Sequence, residues 1–141
     1  MKKILVGVDG SLEAGAAARK AAELAKALGA TLTLVYVAPL HPTQAAEVFA
    51  AELSQADVIE HSYIPALLLQ AEAECRTAGV ATDTTSVTGR AAETLAALAE
   101  SGEYDLVVVG HRGRGAVERV FLGSVADRLV QISPRPVLVV R

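Results

Sequence analysis

Three glycines and the polar residues set among them are the part of this chain best suited to chemistry. Gly110 and Gly113 are two residues apart, and nine further residues separate Gly113 from the pair Gly123-Ser124. Glycine lets main chain approach a ligand closely, and successive N–H groups in a glycine-rich turn or at a helix start form a concavity suited to phosphate. Arg112 and Arg114 lie between the two glycine groups, where guanidinium groups can add bidentate contacts to phosphate oxygens. A branched side chain in place of Gly123 is then expected to occupy phosphate space. The same residues also have a plainer reading: glycines after a strand serve tight turns, and Ser124 can cap a helix whose first turn holds Asp127.

A second polar turn lies near the N-terminus, Val8-Asp9-Gly10-Ser11. Asp9 there can accept from hydroxyl groups or help to place a divalent cation, since carboxylate oxygens suit a hard ion such as magnesium. It can equally be a helix-initiating aspartate that only steadies the turn. The histidines add little: His41 and His61 read as surface residues, and His111 as a solvent-exposed loop residue. Neither they nor Cys75 have metal-ligand spacing, and no Ser-His-Asp set is apparent. There is no Gly-x-x-x-x-Gly-Lys-Ser/Thr loop, hence no lysine positioned to drive phosphoryl transfer.

These turns need elements to hold them. Lys3 to Val8 is a nearly continuous apolar run, the pattern of a parallel strand covered on both faces. Ser11 is a natural N-cap for a helix from Leu12 to Leu28, with Gly29 as its stop. Thr31 to Val37 reads as a second strand ended before Pro39. From Leu40 to Ile64 the pattern is ambiguous, with Thr43 able to cap a short helix, and Pro65 either starting or kinking the helix that reaches Ala78 and stops at Gly79. Val80 to Thr88 is a third strand, polar enough for a sheet edge. Ala91 to Ser101 is a helix stopped by Gly102, and Leu106 to Val109 a fourth strand that leads into the glycine turn. A loop with a helical turn from Gly115 to Leu122, a helix from Ser124 to Ile132 and a fifth strand from Val137 to Val140 complete the chain. Strands alternating with helices imply an open parallel α/β sheet with right-handed crossovers, in one domain spanning residues 1–141.

Composition narrows the function. The 141 residues are 52% hydrophobic and 21% charged, enough for a proper core, and the net charge of −3 offers no electrostatic footprint for nucleic acid. No run approaches the roughly 20 apolar residues of a membrane span. Met1-Lys2-Lys3 precedes an apolar run that meets Asp9 too early for a secretory signal, so a cytoplasmic location is expected. The single Cys75 reads as a buried or half-buried thiol without redox chemistry.

The spacing Gly110-x-x-Gly113, nine residues, Gly123-Ser124 resembles the nucleotide-binding signature of the universal stress protein family, in its ATP-binding branch. Val8-Asp9-Gly10-Ser11 after the first strand and Pro136-Val137-Leu138-Val139-Val140 at the C-terminus are similar too. The resemblance implies a Rossmann-like five-stranded sheet of order 3-2-1-4-5, whose reversal between strands one and four would face Asp9 and Gly110 into one crevice. It implies ATP as ligand, with ADP and AMP as alternatives, together with magnesium. In that reading Gly113, Ser124 and Val125 hold phosphates around Gly123, aided by Arg112. Asp9 serves the ribose or the nucleotide-bound magnesium, the main chain of Val8 and Val37 meets adenine, and Val109 and Gly110 lie against base or sugar. The implied function is that of a stress-response regulator with at most slow ATP hydrolysis. The alternative is a protein-interaction module of the same fold that uses no nucleotide. The resemblance also implies a homodimer through the strand Val137 to Val140, apolar and without an internal charge to deter pairing.

Overall fold

The computed structural model describes residues 1–38, 66, 68–113 and 122–141. The expectations for residues 40–65, His41 and His61 among them, for Arg114 and for the loop 115–121 fall outside the described residues. The elements are β1 (Lys3–Gly7), α1 (Leu12–Leu28), β2 (Thr31–Ala38), α2 (over 68–77), β3 (Thr82–Thr88), α3 (Ala91–Ser101), β4 (Leu106–Gly110), α4 (Ser124–Ile132) and β5 (Val137–Val140). All four strand pairings are parallel, in the order β3-β2-β1-β4-β5. The polar third strand does lie at an edge.

The sheet carries a separate apolar layer on each face, because successive residues of a strand point to opposite sides. Ile4, Val6, Leu34 and Val108 face α1 and α2, whereas Leu5, Val35, Val107 and Val109 face α3 and α4. The six buried positions of α1 are all alanine, Ala14, Ala17, Ala18, Ala21, Ala22 and Ala25. Small side chains along one stripe let this helix lie close to the strands, which matters for the site below. Ser11 caps α1 as expected, its hydroxyl accepting from the Ala14 N–H at 3.1 Å. At the other end Gly29 adopts φ 66°, and Ala30 N–H reaches the Ala25 carbonyl at 2.9 Å, a closure open to glycine at little cost.

The third helix stops at Gly102, as expected, but without a left-handed glycine. Gly102 stands at φ −87°, an ordinary value, and the left-handed residue is Glu103 at φ 56°. Glycine at 102 is therefore not required by backbone conformation.

Cys75 is buried on α2, with Sγ 4.0 Å from the Ala18 carbonyl of α1. Burial, followed by the neighbouring Glu74 charge, pushes its thiol above the usual range, which favours the unreactive protonated form. At the opposite end of the strands from the glycine turns, Asp105 Oδ2 accepts from the N–H groups of Lys2 at 2.7 Å and Lys3 at 2.9 Å. This clamp fixes the start of β1 beside the start of β4. Among the described residues no helix is long and apolar enough to cross a membrane, and no cluster of three metal-ligating side chains occurs.

Candidate functional site

The sheet order reverses between β1 and β4, and at their C-terminal ends a cavity of about 500 Å³ opens. Open α/β sheets bind ligands at this position because the loops from two neighbouring strands diverge there. Each of the ten residues singled out from the sequence lines it. Val8 and Asp9 come from the end of β1, Val37 from β2, and Val109, Gly110, Arg112 and Gly113 from β4 and its turn. Gly123, Ser124 and Val125 come from the start of α4.

The cavity has two chemically different ends. On the β2 side Val35, Val37, Ala91 and Leu95 form an apolar wall. The main chain above that wall is oriented by the sheet. Val8 N–H donates to the Val35 carbonyl at 2.8 Å, so it is already engaged, and what Val8 can offer a ligand is its carbonyl and side chain. Val37 repeats the orientation of Val35, the last partner of β1, two residues on, so its N–H and carbonyl face the space beyond the end of β1.

On the β4 side the cavity is polar. The N-cap of α4 is Gly123, at φ −66° and ψ 160°, which has no side chain to cap the helix, and no side-chain cap is seen among the described residues. The serine that follows is thus the first helical residue and not the cap. An uncapped helix start presents its first N–H groups, here those of Ser124, Val125 and Ala126, to whatever lies in front of it, with the positive end of the helix dipole behind them. Asp127, in the first turn of the same helix, also lines the cavity.

Each glycine of the motif has a different close neighbour. A Cβ on Gly110 would stand 2.8 Å from the backbone carbon of Glu13, so this glycine admits the first turn of α1. A Cβ on Gly113 would stand 2.6 Å from Asp9 Oδ2. A Cβ on Gly123 would stand 3.0 Å from Arg112 Cα and 3.3 Å from the His111 carbonyl, to which Gly123 N–H donates at 2.6 Å. A side chain at 123 would therefore press on the 111–113 turn, whose atoms would have to give by a few tenths of an ångström. None of the three has a left-handed φ. The requirement is space.

The turn after β1 is built by local hydrogen bonds. Gly10 takes φ 85°, and Asp9 Oδ1 accepts from Ser11 N–H at 2.9 Å, the side chain mimicking a peptide carbonyl. Asp9 thus does steady its turn, and its other oxygen points across the crevice toward Gly113.

Two side chains depart from the sequence reading. His111 is half-buried, not exposed: its N–H donates to the Val140 carbonyl at 2.8 Å, and Nδ1 lies 3.3 Å from the same oxygen. Arg112 reaches over to α1, where Nη2 lies 3.4 Å from Glu13 Oε1. Sequence reasoning missed Glu13, since nothing in the spacing of an alanine-rich helix marks its first turn as a neighbour of β4. The apolar wall was missed in part as well: Val35 lies inside the second apolar run, but Ala91 and Leu95 look like any core residues of a helix.

Comparison with known proteins follows the same lines. The Universal stress protein family matches residues 1–141. A universal stress protein of Thermus aquaticus, in the QAH/OAS sulfhydrylase 3′ region, is 36% identical over 140 residues, covering 99% of this chain and 98% of the relative. Among solved structures, universal stress protein UspA from Lactobacillus plantarum superposes with a TM-score of 0.85 at 30% identity, covering 99% of this chain and 97% of the other. A universal stress protein solved in complex with cAMP superposes with a TM-score of 0.78 at 27% identity, covering 99% and 97%.

Proposed function

Because the chain belongs to the universal stress protein family, we propose that its crevice binds an adenine nucleotide and that the bound nucleotide sets the behaviour of a cytoplasmic stress-response regulator. The observation that carries this reading is the pairing, in one cavity, of an apolar wall with an uncapped helix start. A base needs the first and phosphate needs the second. That a structural relative was solved with cAMP supports the same class of ligand.

In this proposal ATP is the first ligand to test, with ADP and AMP as alternatives. Adenine lies against Val35, Val37 and Leu95 and meets the main chain of Val37 and the carbonyl of Val8. Val109 and Gly110 floor the sugar. The N–H groups of Gly113, Ser124 and Val125 and the Ser124 hydroxyl hold phosphates, and Arg112 adds charge. Asp9, half-buried at the edge of the cavity, would accept from the ribose or hold magnesium that arrives with the nucleotide. A carboxylate beside phosphate oxygens supplies the hard oxygen ligands that magnesium takes. The four lysines of the chain are all at or before position 26 and none lies in a phosphate loop, so hydrolysis is at most slow. We also propose a homodimer through the free edge of β5.

The test is to purify the protein without added nucleotide, denature it, identify any released small molecule by mass spectrometry, and titrate ATP with magnesium by calorimetry. Adenine nucleotide released, or micromolar binding, supports the proposal. Neither result would leave the glycines as turns and return the alternative of an interaction module without nucleotide.

A further inference from the structure

The contact between Arg112 and Glu13 is poor for a functional ion pair. It is a single approach of 3.4 Å between side chains that remain 29% and 25% exposed. Arg112 Nε is buried and has no hydrogen-bond partner among the described residues. A guanidinium prefers a planar acceptor that takes two of its donors at once. Here one donor has a distant partner and another has none among the described residues, in a side chain that lines the cavity.

Glu13, by contrast, has a backbone that cannot move far. It lies on the first turn of α1, whose backbone passes so close to Gly110 that only glycine fits beneath it. Its carboxylate also lies near the positive end of the α1 dipole, which favours its charge and its place. The pair therefore joins a fixed acid to an arginine that is badly satisfied.

From this we infer that Glu13 is a specificity-determining residue that holds Arg112 on α1 when the cavity is empty, so that a ligand gains the arginine only by offering phosphate oxygens in exchange. The inference rests on the nucleotide reading above and adds to it a residue outside the glycine motif. Ligand phosphate offers Arg112 two acceptor oxygens, against the single long contact to Glu13. The exchange makes Glu13 a brake on binding that acts through phosphate: adenosine, which has no group to offer Arg112, is insensitive to it. Once Arg112 has turned to the ligand, the Glu13 carboxylate stays behind as a repulsive neighbour, which again weakens only phosphorylated ligands.

The experiment is a calorimetric titration of ATP with magnesium, AMP and adenosine into the unaltered protein, Glu13→Gln, Arg112→Gln and the double variant. Glu13→Gln should tighten at least one of the two nucleotides roughly two- to fivefold, the scale of a partly exposed ion pair, and leave adenosine unchanged. In the Arg112→Gln background the same Glu13→Gln change should have no effect. Three results overturn the inference while the nucleotide reading stands: no gain in Glu13→Gln, an equal gain for adenosine, or a gain that persists without Arg112. If the unaltered protein binds none of the three ligands, the nucleotide reading fails first and takes this inference with it. Glutamine keeps the length and polarity of glutamate on a partly exposed first turn, and matching thermal melts of the four proteins would confirm that only the site has changed.

Discussion

Asp9 Oδ2 lies 2.6 Å from the position that a Cβ on Gly113 would occupy. One carboxylate thus serves two turns that are a hundred residues apart in the chain: Oδ1 closes the turn after β1 through Ser11, and Oδ2 abuts the turn after β4. The crevice has its shape because glycine stands at 113.

Replacing Gly113 with alanine should push the Asp9 carboxylate off this position while leaving both cores untouched. Nucleotide affinity should fall about tenfold, equivalent to roughly 1.4 kcal/mol, with a thermal midpoint close to that of the unaltered protein. Calorimetry and a thermal melt on the same sample check both halves. Unchanged affinity would remove Asp9 and Gly113 from the site.

Gly110→Ala should do the reverse. Its Cβ would press on the backbone of Glu13, with the Glu13 carbonyl oxygen at 2.9 Å, and backbone at a helix start cannot step aside as a side chain can. Forced overpacking of this kind costs roughly 1–3 kcal/mol. Chemical denaturation should show that loss in the absence of any ligand. A variant as stable as the parent would mean that α1 slides freely over β4.

For the dimer, the useful change is at the backbone of β5. The carbonyls of Pro136 and Val140 accept from Val107 and His111 on the β4 side, so by the alternation of a strand the N–H of Val139 points to the free edge. Val139 also packs on the α3–α4 layer, so a charged residue there would damage the fold as well as the edge. Val139→Pro removes the outward donor and keeps the ladder to β4. Light scattering should then report monomers with only a modest fall in thermal stability. A dimer that survives the change does not use this edge.

Acid should loosen the clamp at the start of β1. The backbone N–H of Lys2, then that of Lys3, hold the Asp105 carboxyl below the usual carboxylate range. An unfolded aspartate titrates near about 3.9, so the stabilisation is full above that pH and disappears as pH falls through the lower folded value. Asp105→Asn should therefore unfold at lower denaturant than the parent at pH 7, with the gap narrowing below about pH 4. A gap that does not change with pH would assign the effect to packing.

Much of this arrangement was legible in the order of residues. The span of α1 and its cap at Ser11 followed from local chemistry that tertiary structure had no reason to override, as did the spans of α3, α4 and β5. The polar edge of β3 followed from its threonines. Contacts between elements distant in sequence were another matter. Glu13 meets Arg112, and Val140 meets His111, only because the sheet sets β4 between β1 and β5, and no local pattern encodes that neighbourhood. The glycine motif was found by spacing, but spacing could not say that its members make room for a helix turn, for a carboxylate and for a loop.

The two apolar layers on either side of the sheet share no residue, yet both reach the crevice. Val8 and Ala14 belong to the layer beneath α1, whereas Val35, Leu95, Val109 and Ala126 belong to the layer beneath α3 and α4. A molecule lodged there would act as a rivet through the end of the sheet, fastening two halves that lie on opposite faces of it. Occupancy would then be written into amide exchange on both faces at once, with the slowest-exchanging protons of α1 and of α4 slowing together in proportion to the stability that the ligand confers.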